Sequence, residues 1–144
     1  MPENELSKLS IEMARQMQER GAEVRTFMPR YGCINERRNQ LHEVIRLSGM
    51  NLIINDNDHQ LIIKVASIPA ARIQIYFIDN DDYFSRRAIL HDEEGKMFED
   101  NDDRAIFFAR GVLETVKKLR WTPDVIHCQG WISQVLPIYL KKAY

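Results

Sequence analysis

The chain has 144 residues, of which 44% are hydrophobic and 28% are charged, and both fractions are ordinary for a globular domain. Its 20 basic and 21 acidic side chains leave a formal net charge of -1, which argues against nucleic acid or an anionic membrane as a partner. No apolar run approaches the roughly 20 residues that cross a bilayer, the N-terminus is polar, and two cysteines cannot build a disulfide framework. We therefore expect one domain over residues 1–144, cytoplasmic and with reduced thiols.

A helix and a strand are the first elements that the sequence predicts. The helix covers 4–20, because its apolar positions recur at spacings of three and four and Gly21 follows as a C-terminal cap. These apolar positions are Leu6, Leu9, Met13 and Met17. A strand near 23–28 follows and ends at Pro29, so that helix and strand form the second half of a parallel βαβ unit. No apolar strand precedes the helix, so we expect the first strand of such a unit to be missing.

Four β-rich segments separated by turn residues come next. They cover 41–47, 51–55, 59–68 and 71–79. The middle two are predicted to form a hairpin through 56–58.

The second half of the chain begins with an acidic stretch. Residues 79–103 hold ten of the 21 acidic side chains with few apolar ones, so we expect a surface excursion whose least ordered part is 85–101. An apolar stripe then predicts a helix over 103–119. A buried strand at 124–128 follows, and we expect it to run parallel to the strand near 23–28.

The last predicted element is a helix from Trp131 to Lys142 that is interrupted or kinked at Pro137. The whole order predicts an α/β fold, Rossmann-like, with a mostly parallel sheet and helices on both faces. The helices over 4–20 and 103–119 are expected to pack on this sheet.

Two segments lie where ligands bind in such a fold, beyond the carboxyl ends of strands. They are Met28–Gly32 and His127–Trp131. In the second segment, Gly130 precedes a predicted helix whose free backbone N–H groups could hold a phosphate, although Trp131 could equally be a core anchor and Gly130 a turn. We expect no metal site, because His127 and Cys128 are adjacent strand residues that point to opposite faces.

Four stretches of the chain, in this order and with closely similar spacing, resemble the N-terminal domain of bacterial glycogen and starch synthases. They are ERGAEVRTFMPRYG (19–32), YFIDNDDYFSR (76–86), EDNDDRAIFFARGVLETVKKLRWTPDVIHCQGW (99–131) and LPIYLKKAY (136–144). The resemblance implies a GT-B glycosyltransferase, with two Rossmann-like domains and a cleft between them, of which this chain is a part of the first domain. It also implies transfer of glucose from ADP-glucose to an α-1,4-glucan without a metal or cofactor, and a second GT-B domain that could act in trans.

Five positions match or replace residues of the family's motifs and are our candidates for substrate binding. They are Asp100, Asn101, His127, Gln129 and Trp131. In the family's His-x-His-Asp-Trp-His turn, Gln129 replaces the histidine that lies against the transferred sugar. Gln129 can hydrogen-bond a hydroxyl group but cannot carry a proton near neutral pH. We therefore assign no catalytic residue.

The family's glycine-rich turn, which contacts donor and acceptor, aligns with residues 2–8. Pro2 replaces its lysine, Asn4 and Glu5 replace its two glycines, and Lys8 replaces its aspartate. Glycines allow a backbone to approach a phosphate or sugar closely, so these replacements predict that the chain alone is inactive. The alternatives are a non-catalytic module that binds glucan or a protein, and a fragment with no role of its own.

Overall fold

The computed structural model describes residues 5–38, 40–68, 73–86 and 94–143. The helices in these ranges are α1 (Glu5–Glu19), α2 (Asp81–Phe84), α3 (Asn101–Lys118) and α4 (Leu136–Ala143). The strands that the described residues form are β1 (Thr26–Pro29), β2 (His42–Glu43), β3 (Asn51–Ile54), β4 (Asn57–Gln60), β5 (Ile62–Ile68) and β6 (Ile73–Asp79). Short 3₁₀ turns cover Ile45–Leu47 and Trp131–Ser133.

Four strands form the main sheet in the order β1-β6-β5-β2. β1 pairs with β6 in parallel, whereas β5 pairs with both β6 and β2 in the antiparallel direction. The predicted α/β class is confirmed, but the predicted majority of parallel pairs is wrong for the sheet that the described residues form. The reason is chain length, because only residues 69–72 separate β5 from β6, and a parallel crossover needs a dozen or more.

The predicted hairpin is confirmed as β3 and β4, which pair in the antiparallel direction. Its turn lies at Asn55 and Asp56, where both residues adopt positive φ angles of 51° and 63°. Two residues with positive φ are typical of the tight turns that fit the twist of a hairpin, and Asn and Asp tolerate that conformation well. The segment predicted as one strand over 59–68 is therefore two strands, because β4 belongs to the hairpin and β5 to the main sheet.

α3 packs directly on the main sheet, as predicted. At Gly111 the helix lies so close that an added Cβ would meet Cγ2 of Ile78 in β6 at 2.8 Å. Its buried face alternates aromatic and small residues, and Phe107, Phe108 and Val112 join the core. The core thus lies between α3 and the strands β5 and β6.

The predicted packing of α1 on the sheet is wrong for its described side chains. Leu9 is 56% exposed and Met17 is 48% exposed, so the apolar stripe that predicted this helix faces solvent. α1 leads into β1 along the chain, but none of its described side chains belongs to the core.

The predicted strand at 124–128 is also wrong, and with it the parallel pair with 23–28. The segment pairs with no strand among the described residues, and Val125 is 81% exposed. A segment becomes a strand only when a neighbour satisfies its backbone groups, and no described strand pairs with this one.

Three smaller differences concern the remaining segments. Residues 41–47 form only the two-residue β2 and a 3₁₀ turn, and Pro137 lies in the first turn of α4, where proline is tolerated, so it does not kink a long helix. The start of the acidic stretch is not a surface excursion, because Tyr83 and Phe84 are buried. Of the part expected to be least ordered, residues 87–93 lie outside the described residues.

None of the helices described is long and apolar enough to cross a membrane.

Candidate substrate-binding site

The candidate Asp100 directly precedes α3, and Arg86 holds its carboxylate. Two guanidinium nitrogens of Arg86 each donate to one carboxylate oxygen at 2.5 Å. This contact holds the pKa of Asp100 below its usual value, so the carboxylate is charged at neutral pH. The Arg86 guanidinium also lies 4.7 Å above the ring of Phe98, which limits its freedom. Asp100 is therefore fixed in place and neutralised by a neighbour.

Arg104 connects two other candidates, Asn101 and Trp131, although the sequence analysis did not single it out. Its Nη1 donates to Oδ1 of Asn101 at 2.8 Å, and its Nε donates to the carbonyl oxygen of Tyr83 at 2.8 Å. The Arg104 side chain is fully buried, and burial lowers its pKa from the usual arginine value. The guanidinium carbon lies 5.5 Å from the ring of Phe84, 5.2 Å from that of Phe98 and 5.7 Å from that of Trp131.

We use the name arginine corner for the cluster of Phe84, Arg86, Phe98, Asp100, Asn101, Arg104 and Trp131. Two guanidinium groups at its centre are surrounded by aromatic rings and carry one carboxylate and one amide partner. Such stacked and hydrogen-bonded guanidinium groups are held in fixed geometry, which lysine could not reproduce. The corner therefore positions the N-terminus of α3 relative to the 3₁₀ turn Trp131–Ser133.

The predicted ligand segment Met28–Gly32 contacts this corner through Tyr31 and Gly32. An added Cβ at Gly32 would overlap the carbonyl oxygens of Ser85 and Arg86, and the Gly32 N–H donates to the latter at 2.9 Å. Tyr31 is buried edge-on against Phe84, and burial raises the pKa of its hydroxyl to about 12. The glycine is thus required because two backbone segments touch there.

Arg30, in the same segment, makes internal ion pairs. Its Nε lies 3.1 Å from Oδ2 of the buried Asp79, and Nζ of Lys64 lies 2.8 Å from the same oxygen. Glu36 also contacts both cations. Two positive and two negative groups balance here, so the cluster offers no excess charge to a phosphate.

His127 and Gln129 form a second, more exposed group. The Gln129 amide nitrogen donates to Nε2 of His127 at 2.9 Å, which requires that ring nitrogen to be unprotonated. The amide oxygen of Gln129 accepts a hydrogen bond from the hydroxyl of Ser10 in α1. Ser133 donates to the Gln129 carbonyl oxygen at 2.8 Å. Gln129 therefore joins α1 to the segment before the 3₁₀ turn.

The predicted phosphate site at a helix N-terminus is not formed as expected. Gly130 has a positive φ of 79° and precedes only the three-residue turn Trp131–Ser133 instead of a long helix. Trp131 packs against the core, which favours the reading of Trp131 as an anchor and Gly130 as a turn. Cys128 also packs against the core, burial raises the pKa of its thiol, and His127 is exposed. No group of three or more potential metal ligands occurs in the described ranges.

The structure thus places the five candidates in two connected groups. Asp100, Asn101 and Trp131 meet in the arginine corner, and His127 and Gln129 lie two to four residues before Trp131 along the chain. Sequence reasoning missed Arg104, yet a signal was present. Arg104 occupies the same helical face as Phe108 and Gly111, and a charged residue inside an apolar stripe indicates a buried, partnered charge.

A family model described as the starch synthase catalytic domain matches residues 3–144. The glycogen synthases of Chlorobium limicola and Chlorobaculum tepidum are 42% and 40% identical to the chain over 129 residues. These residues are 89% of this chain but 26% of each relative, so the chain spans about a quarter of their length. The catalytic domain of starch synthase IV from Arabidopsis thaliana, solved with ADP and acarbose, matches with a TM-score of 0.72 at 20% identity. That match covers 91% of this chain and 26% of the other.

The structural match and the described architecture define the class of protein. The chain is an α/β protein with the fold of one part of a starch synthase catalytic domain. The motif order and the sequence matches then give the family. The chain belongs to the starch synthase catalytic domain family and is homologous to glycogen synthases.

Proposed function

We propose that this chain forms the N-terminal part of the catalytic domain of a glucosyltransferase that extends an α-1,4-glucan from ADP-glucose. The observation that carries the proposal is the continuous match of residues 3–144 to the family, at 42% identity to a glycogen synthase. The related plant structure was solved with ADP and acarbose bound, which supports a nucleotide and a glucan as ligands. In a GT-B architecture, a second domain would complete the cleft.

The proposed site on this chain uses the two groups of candidates differently. The arginine corner fixes Asp100 and Asn101 at the start of α3, so that backbone and side-chain groups there have a constant position. His127 is exposed beside Gln129, and both can exchange their mutual hydrogen bond for one to a sugar hydroxyl. Trp131 is a positioning residue, because its ring packs against Arg104.

We propose that the chain alone does not turn over. A leaving diphosphate needs fixed positive groups, and removal of even one such electrostatic partner commonly reduces rates by about 100- to 1000-fold. In the described residues, Arg86 and Arg104 are committed to Asp100, Asn101 and Tyr83. A cleft without its second wall also stays open to water, which weakens every remaining electrostatic contact.

The test is transfer of radiolabelled glucose from ADP-glucose to glycogen by the purified chain. We expect no incorporation above a heat-inactivated control, and none from the double variant Gln129→His with Gly130→Asp. We expect incorporation when the chain is mixed with the remaining three quarters of the Chlorobium limicola glycogen synthase. Transfer by the chain alone contradicts the inactivity, and failure of the mixture contradicts the proposed role as an N-terminal part.

A second candidate function is a non-catalytic module that binds glucan. It is favoured by Gln129, which replaces the histidine of the family motif with a group that still hydrogen-bonds hydroxyls but does not titrate near neutral pH. Isothermal titration with maltoheptaose and, separately, with ADP-glucose distinguishes the candidates. Binding of maltoheptaose alone, weakened in His127→Ala and unchanged in His42→Ala, supports the module.

A further inference from the structure

His59, in strand β4 of the hairpin, is a mostly buried polar residue that the substrate-binding candidates do not include. Its side chain is 12% exposed, and its Nδ1 is buried. The imidazole ring lies against the ring of Tyr83 in α2, with the two centroids 4.5 Å apart. It also meets the ring of Phe107 in α3 edge-on at 6.3 Å. The imidazole therefore lies where the hairpin, α2 and α3 meet.

The two ring nitrogens of His59 face different partners. Nε2 lies 3.0 Å from the hydroxyl oxygen of Tyr83, and Nδ1 lies 3.4 Å from Oδ2 of Asp82. A carboxylate only accepts hydrogen bonds, so the proton of the neutral ring belongs on Nδ1 and leaves Nε2 as an acceptor. Burial and the nearby carboxylates of Asp103, Asp100 and Asp82 raise the pKa of the Tyr83 hydroxyl to about 12. This hydroxyl therefore keeps its proton and donates it to Nε2.

A second contact next to His59 also holds α2 to the hairpin. Nδ2 of Asn80 donates to the carbonyl oxygen of Gln60 at 2.9 Å. Oδ1 of Asn80 accepts from the backbone N–H groups of Asp82 and Tyr83 at 2.9 and 3.3 Å. α2 has only four residues, too few for a helix to be stable by itself, so its position depends on such contacts. The hairpin thus fixes the backbone of Tyr83.

The chain of contacts continues from Tyr83 into the arginine corner. The carbonyl oxygen of Tyr83 accepts from Nε of Arg104 at 2.8 Å, and Nη1 of Arg104 donates to Oδ1 of Asn101 at 2.8 Å. A guanidinium group is planar and rigid, so its Nε and Nη1 donors keep a fixed relation to each other. A shift of the Tyr83 carbonyl would therefore move the donor that Asn101 accepts from.

We propose that His59 is a positioning residue of the candidate substrate-binding site, which holds Asn101 in place through Tyr83 and Arg104. The proposal rests on the proposed function, because Asn101 binds substrate only in that role. His59 itself touches no substrate in this arrangement. Binding groups keep a productive geometry when supporting hydrogen bonds fix them, and the β3–β4 hairpin supplies that support here.

The first test is the protonation of the imidazole in the purified chain, which requires no activity. Nitrogen-15 NMR at about pH 8, where an ordinary histidine is neutral, distinguishes a protonated from an unprotonated ring nitrogen. We expect Nδ1 of His59 to be protonated and Nε2 to be unprotonated. A ring that carries its proton on Nε2 would not accept from the Tyr83 hydroxyl, and this result would overturn the proposal.

The second test asks whether His59 acts through the hydroxyl of Tyr83. His59→Leu removes the acceptor and should speed the exchange of the Arg104 Nε hydrogen by about tenfold. His59→Gln, whose amide oxygen can accept from the hydroxyl, should restore the rate to within about threefold. In a Tyr83→Phe background, His59→Leu should change the rate by less than about twofold, because the hydroxyl is already absent. His42→Leu, at an exposed histidine, is the control and should have no effect.

Two outcomes of this test would overturn the proposal. If His59→Leu has the same effect with and without the Tyr83 hydroxyl, His59 acts through packing alone. If His59→Leu does not fold, Tyr83→Phe alone replaces it, because this variant keeps the buried ring and removes only the hydroxyl. It should speed the Arg104 exchange by a similar factor, and an unchanged rate would overturn the proposal.

The third test measures glucosyl transfer after the chain is mixed with the remaining three quarters of the Chlorobium limicola glycogen synthase. His59→Leu should raise the KM of one of the two substrates by about fivefold and leave kcat within about twofold, because Asn101 contributes to binding. His59→Gln should recover the KM, and His42→Leu should not change it. Unchanged KM values in an active mixture overturn the proposal. If the unchanged chain gives no transfer, the proposed function fails, and the NMR measurements decide the role of His59.

Discussion

The arginine corner lies at one extreme of packing, and α1 together with residues 122–128, which we call the open edge, lies at the other. In the corner, Arg104 is fully buried among three aromatic rings and hydrogen-bonded to two elements. At the open edge, Val125 and the apolar stripe of α1 face solvent, and the segment 122–128 makes no backbone pair in the described structure. The difference teaches that buried, partnered groups hold the corner, whereas the open edge leaves apolar side chains exposed to solvent.

This contrast in packing separates the candidate residues into two groups. Asp100 and Asn101 belong to the complete region, so their positions should persist in the isolated chain. His127 and Gln129 follow the incomplete segment and are tied to α1 by the hydroxyl of Ser10. We therefore expect the two groups to respond differently to substitution, and the following predictions measure that difference.

The largest effect is expected in the corner, for Arg104→Ala. The substitution removes two buried hydrogen bonds and leaves space between three rings, so the free energy of unfolding should fall by about 3 kcal/mol. Urea unfolding followed by circular dichroism measures the change. Arg110→Ala is the matched control on the same helix, because Arg110 is less buried and donates only to the carbonyl oxygen of Ile53 at 2.7 Å.

We expect Arg110→Ala to lower the free energy of unfolding by about 1 kcal/mol or less. Equal losses in the two variants would mean that the corner is no better packed than the helix surface. In that case, the division of the candidate site into two regions would have no energetic basis.

Some elements of this protein could be predicted from the sequence and others could not, and the reasons are physical. α1, α3 and the β3–β4 hairpin follow from local patterns, because helical periodicity and paired turn residues act within a few residues of one another. The antiparallel arrangement of β5 was missed although residues 69–72 are too few for a crossover. A count of the connecting residues would have excluded the parallel pair.

Two other errors arose because burial depends on segments that are distant in the sequence, which a local pattern does not record. The stretch 124–128 has the composition of a buried strand, and α1 has the periodicity of a packed helix, yet both face solvent in the described structure. Whether an apolar segment is buried depends on a neighbour elsewhere in the sequence. The candidates Asp100 and Asn101 came from motif resemblance, whereas Arg104 could be recognised only as a charge on an apolar face.

A smaller effect is expected for Asp100→Asn and should depend on pH. Arg86 lowers the pKa of Asp100 in the folded protein, so the ion pair stabilises the fold above the ordinary carboxylate value of 3.8. This stability is lost as the pH falls through the lower folded pKa, because the carboxylate is then protonated in both states. Both side chains are partly exposed, so the contribution at pH 7 should be about 1 kcal/mol.

Urea unfolding of the unchanged chain and of Asp100→Asn at pH 7, 5 and 3 measures this dependence. The two proteins should differ most at pH 7 and 5 and begin to converge at pH 3. Asp124→Asn, an exposed carboxylate in the segment 122–128, is the control and should show no such convergence. A constant difference at all three values would mean that Asp100 acts through packing and not through its charge.

The smallest effect is expected at the open edge, for Leu9→Ala in α1. Leu9 is already 56% exposed, so truncation removes little buried surface, and alanine favours a helix slightly more than leucine. The free energy of unfolding should change by less than about 0.5 kcal/mol. The same substitution at Leu113 in α3, which is 4% exposed, should lower it by about 3 kcal/mol because it opens a cavity in the core. Both are measured by urea unfolding, and a loss above about 1 kcal/mol for Leu9→Ala would show that α1 is packed in solution.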